Sequence, residues 1–116
     1  MSIRNNLTQH HEASDWLKRL DVMQQENVRL KTLIADVIRK DDNRHTLEQA
    51  EAILNSIINK DAVIALLRRD IAQYMRGIEP DKADHMQSKL NEDVGKMQVE
   101  LKKLGAELAC YISNGV

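Results

Sequence analysis

Apolar residues in this chain recur every three or four positions through three stretches of nearly equal length, and nowhere alternate with period two over a useful span. That regularity excludes sheets and requires helices, because only a helix gathers residues at this spacing onto one face. In the first stretch Ala13, Trp16, Leu20, Met23, Leu30, Ile34 and Val37 follow the spacing without a slip, with Asn27 in the seat of an apolar residue and Leu17 and Ile38 widening the stripe. The second carries Ala50, Ile57, Ile64, Ile71 and Ile78 at intervals of seven, flanked by Ile53, Leu54, Leu67, Tyr74 and Met75. In the third, Leu90, Val94, Met97, Leu101, Leu104, Leu108 and Tyr111 continue the pattern, with Ile112 beside them.

Two breaks separate the stretches. Around K-D-D-N-R-H-T the apolar pattern stops, and Thr46 with Gln49 has the spacing of a capping box. In R-G-I-E-P-D, Gly77 is a helix terminator and Pro80 a first-turn residue. Asn5 or Asn6 can cap the first helix, and Asn114-Gly115 can end the last. Helices are therefore expected over about 7–40, 44–78 and 81–114, each roughly 50 Å long. Short connections make neighbours antiparallel, so the expected fold is all-α: one domain over residues 1–116, an up-down-up bundle of three long helices with coiled-coil-like packing. A hairpin that exchanges its third helix with a second copy is the rival. With 3% aromatic residues and no phenylalanine, the core is expected to be aliphatic.

Charge narrows the partners. Seventeen Lys and Arg stand against eighteen Asp and Glu with no basic segment, which argues against nucleic-acid binding. No apolar run is long enough for a membrane span, and M-S-I-R-N-N lacks the hydrophobic segment of a signal peptide, so a cytoplasmic protein is expected. The single cysteine, Cys110, agrees with a reducing compartment.

The stretch T-Q-H-H-E-A-S-D-W-L holds the densest group of potential ligands. Projected at about 100° per residue, His11 points away from the stripe, His10 and Asp15 lie on its flanks, and only Glu12 looks inward. Topology brings the group to the same pole as Asp81, Asp84 and His85. A bundle metal site needs inward ligands from several helices, commonly Glu-x-x-His pairs, and the chain has none. His10, His11, Asp15, Asp81, Asp84 and His85 are thus read first as solvated helix-start residues; a metal- or small-ligand site at this pole is the alternative. No cofactor is expected.

Four polar residues interrupt the seams. Asn27 sits at the centre of the first stripe, Asp61 and Arg68 lie near the centre of the second, and Asp93 flanks the third. Counting from the two turns sets Asn27 level with Asp61 and Arg68 level with Asp93, two candidate polar layers of the kind that fix helix alignment and neighbour choice. Catalysis finds no support: Cys110 has no histidine near it in the expected fold, and the four glycines are too scattered for a phosphate loop.

The segments H-E-A-S-D-W-L-K-R-L (11–20) and V-I-A-L-L-R-R-D-I (63–71), with D-H at 84–85, resemble a group of short bacterial helical proteins of no assigned function. The resemblance spans most of the chain and implies a compact helical fold, but no reaction. It also implies a histidine near the place of Arg69, where this chain departs from the pattern.

Apolar residues beyond the main seams point to a partner. Ile58, Ala62, Val63 and Leu66 project from the back or flank of the second helix, and Gly95, Val99, Ala106 and Cys110 from that of the third. The expected function is a non-enzymatic helical interaction protein, an adaptor or small regulatory subunit, that forms a homodimer or docks on another protein.

Overall fold

The computed structural model describes residues 6–40, 44–77 and 80–115, with side chains over 9–40, 47–77 and 81–113. Three helices account for nearly all of it: α1 (Asn6–Lys40), α2 (Arg44–Met75) and α3 (Pro80–Gly115). Cross-links fix their directions. Glu12, Trp16 and Arg19 of α1 meet Gln87, Asn91 and Gln98 of α3 in ascending order, so these helices are parallel. Between α1 and α2 the order reverses, with Asp21 against Arg68 and Lys31 against Asp61. The result is the up-down-up bundle, a rod of 62 × 18 × 17 Å in which every helix packs on both others.

The helix ends follow local chemistry. Arg39 and Lys40 occupy the last turn of α1, where positive charge is favoured, and both pair with Asp36. Gly77 adopts φ of 95°, the left-handed conformation that a side chain disfavours, and its N–H donates to the Tyr74 carbonyl at 3.3 Å. That conformation ends α2 at Met75, three residues short of the expected Ile78. Pro80 opens α3, followed by Asp81 in the first turn. α2 begins at Arg44, at the expected start, which sets the backbone of Thr46 inside the first turn. Asn5, Asp41, Asp42 and Ile78 lie outside the described residues, as do the side chains of Asn6, Asn114 and Thr46.

Packing follows the stripes. Every stripe position of α1 is buried except Val37, which is half-buried. From α2, Ala50, Ile53, Ile57, Ile64, Leu67, Ile71 and Tyr74 join the same core, and α3 adds six residues from Leu90 to Leu108. The core is not purely aliphatic: Trp16 and Tyr74 are both buried, their ring centroids 5.5 Å apart at 55°. This tilted pair fills the pole near the α2–α3 turn, where helix ends would otherwise leave a gap. Among the described residues no helix is long and apolar enough to cross a membrane.

Candidate functional site

The histidine pole comes first because its ligand chemistry is the densest in the sequence. His10, His11 and Asp15 are exposed on α1, and Asp81, Asp84 and His85 are exposed on α3. Glu12 alone turns inward, accepting a hydrogen bond from Gln87 Nε2 at 2.6 Å. Among the described residues no three His, Cys, Asp or Glu side chains converge on a point where an ion could sit. What the pole encloses is Trp16, whose Nε1 donates to Asn91 Oδ1 at 3.4 Å.

Among the described residues the one buried polar side chain lies in the middle of the rod. Asn27 is fully buried, and its amide nitrogen donates to the Ile57 carbonyl at 2.9 Å and to Asp61 Oδ1 at 2.6 Å. Lys31 closes on the other oxygen of Asp61. Burial acts to raise the Asp61 carboxyl, but the hydrogen bonds from Lys31 and Asn27 and the Lys31 charge outweigh it, leaving the group below its ordinary range. The Asn27 amide oxygen is buried with no hydrogen-bond partner among the described residues, an unsatisfied acceptor inside the core.

Lys60 completes this belt on the α2–α3 side. The run 50, 53, 57, 60, 64, 67, 71, 74 makes position 60 a seam position, so that spacing already held the signal for a buried-stem lysine. Its side chain is only 16% exposed, lies along the core and reaches Glu100 at 2.9 Å. That hydrogen bond holds the Glu100 carboxyl below its ordinary value against a small burial penalty.

The second expected layer is corrected. Arg68 does not meet Asp93; it turns to α1 and donates to Asp21 at 2.5 Å and Gln24 Oε1 at 2.7 Å, while Asp93 sits half-buried on α3. Because Asp21 is 58% exposed, the pair is a solvent-screened link between helices. Arg68→Ala should therefore cost no more than about 1 kcal/mol. A double-mutant cycle in urea should give measurable coupling of Arg68 with Asp21 and none with Asp93; the opposite pattern would reinstate the α2–α3 layer.

Among the described residues no acid–base pair emerges. Glu26, Asp36 and Glu100 are each held low mainly by a hydrogen bond from a cation, Arg29, Arg39 and Lys60 respectively, and Asp61 is low as well. A general acid needs the reverse shift.

The outer faces differ from the pole in carrying aliphatic groups. On α2, Ile58 and Leu66 are each 49% exposed, with the exposed Ala62 between them at intervals of four. Val63, expected on the same face, is half-buried and packs against the core. On α3, Val99 is exposed in line with Ala106 and Cys110. No family model matches the chain, and no curated protein or solved structure does so at a significant level.

Proposed function

We propose that the protein is a non-enzymatic helical interaction module, an adaptor or small regulatory subunit, that pairs with a second copy of itself through the outer face of α2. The observation that carries this reading is the ridge Ile58-Ala62-Leu66, two half-exposed large aliphatics on either side of a small residue. Residues four apart form one ridge of a helix, and such ridges interdigitate when two helices cross. With Ala62 at the crossing, the backbones approach closely and Ile58 of one copy lies against Leu66 of the other. A two-fold contact of this kind is the commonest way for a chain to cover its own patch. Arg69 and Asp70 form the rim.

The test is sedimentation of wild type and Leu66→Glu at matched micromolar concentration. The wild type should run as a dimer and the variant as a folded monomer, because the two-fold sets the introduced carboxylates near one another in an apolar contact. A wild type that is already monomeric overturns the pairing.

A further inference from the structure

α1 and α3 make the least extensive of the three helix contacts, and the side of the bundle that α2 does not cover carries a groove of about 590 Å³ between them. Its floor is apolar: Met23 and Leu101 rise from the core, and Val22 stands on the α1 wall 66% exposed. Gly105 opens the opposite wall. A β-carbon there would lie 3.9 Å from Leu30 and 4.0 Å from Glu26, so the space is real but bounded. Above the floor the rim is cationic, with Lys18, Arg19, Arg29 and Lys102 against the single carboxylate of Glu26. Glu26 is already occupied by Arg29 at 2.6 Å, and Arg19 is held by Gln98 at 2.8 Å and reaches Asp15 at 3.9 Å, which leaves the two lysines as the free charge of the rim. Lys18 and Lys102, one on each bank, make no ion pair with the described residues.

We infer that this groove is a docking site for an acidic amphipathic helix of a partner protein, which would complete a four-helix bundle. Charge selects the occupant, since a chain of net charge −1 sets an unpaired lysine on each bank of one apolar trough, with two paired arginines beside them. The groove runs along α1 from Lys18 to Arg29, roughly 17 Å at about 1.5 Å per residue, or about three helical turns. Three turns seat apolar side chains spaced i, i+4 and i+7 along the trough floored by Met23 and Leu101 and opened at Gly105, while glutamates on both flanks meet Lys18 and Lys102. The site rests on the reading of the protein as an interaction module but uses a different surface from the α2 ridge, so the two are separable.

Anisotropy of a labelled, designed peptide tests it: a helix with a leucine stripe at that spacing and glutamates on its flanks, compared with the same stripe flanked by lysines. The acidic peptide should bind the full chain saturably and lose affinity as salt rises, and the basic one should not bind. Lys18→Glu with Lys102→Glu, both at exposed positions, should weaken the acidic peptide by about tenfold while leaving the helical circular dichroism unchanged. Leu66→Glu should leave peptide affinity unaltered whatever it does to sedimentation. Absence of acidic-peptide binding, equal binding of both peptides, or indifference to the double charge reversal would each overturn the assignment. Self-association lost on that reversal would also overturn it, by making the occupant a second copy of this chain.

Discussion

Trp16→Ala should lower the stability of the bundle by about 3–5 kcal/mol, the range for deleting a buried large aromatic side chain. The indole is 2% exposed, stacks at a tilt on Tyr74, and ties α1 to α3 through Asn91. Its removal strips three helices of a common contact at the pole that carries the α2–α3 turn. Trp16→Phe keeps most of the volume and should lose markedly less. Urea unfolding followed by far-ultraviolet circular dichroism, at fixed protein concentration so that association does not shift the midpoint, measures both. A loss below about 1 kcal/mol for the alanine variant would mean that the pole collapses around the gap.

Asn27→Asp should be as damaging at neutral pH, and for an electrostatic reason. It replaces a fully buried amide with a carboxyl at a place 2.6 Å from Asp61. Two carboxylates at that separation cannot both ionise, and removal of the amide donors deprives Asp61 and the Ile57 carbonyl of their buried partner. The expected cost is about 3–5 kcal/mol near pH 7. The pH dependence gives the sign. In the wild type Asp61 has a lowered folded pKa, so its contribution is present above the unfolded carboxylate range and fades as pH falls through the folded value. In the variant the introduced carboxyl has a raised folded pKa, so its penalty is full at neutral pH and relaxes as pH falls through that value. The two stability curves should therefore converge on acidification. Asn27→Leu removes the same donors together with the unsatisfied amide oxygen but adds no carboxyl, so it should cost less than Asn27→Asp at neutral pH and show no such convergence on acidification. Curves for Asn27→Asp and wild type that stay parallel with pH would remove the carboxyl clash from the account.

The helices and most of the core were legible because both depend on periodicity. Burial of the α1 stripe from Ala13 to Ile34 needs only the angle per residue and an apolar partner face. The outward histidines and inward Glu12 came from the same projection. The partner of Arg68 is not legible in this way, because a helical wheel gives the direction of a Cβ atom, whereas a side chain this long reaches the seam on either side and chooses by local acceptors. Lys60 shows the converse: a lysine at a seam position reads as a break in the stripe, although its stem is buried and only its amine reaches Glu100. The α1–α3 groove had no signature at all. It arises from the distance between two helices, set by every contact along the rod together, and from the missing side chain at Gly105.

An odd number of helices has a consequence for how the rod can be wired. The start of α1 and the end of α3 lie at opposite poles, a helix length apart, because α1 and α3 are parallel. Closing that span along the surface would take on the order of 15 extended residues, so a circular permutant joined by a short linker has no intramolecular solution and must pass its helix to a neighbour. The same separation makes the two poles a molecular ruler. In a pair related by a two-fold axis across the rod, the beginnings of the two α1 helices sit far apart and each lies near the partner's α3 end; in a pair related by an axis along the rod, like poles coincide. A pair of distance labels at one pole would therefore read the polarity of the assembly directly.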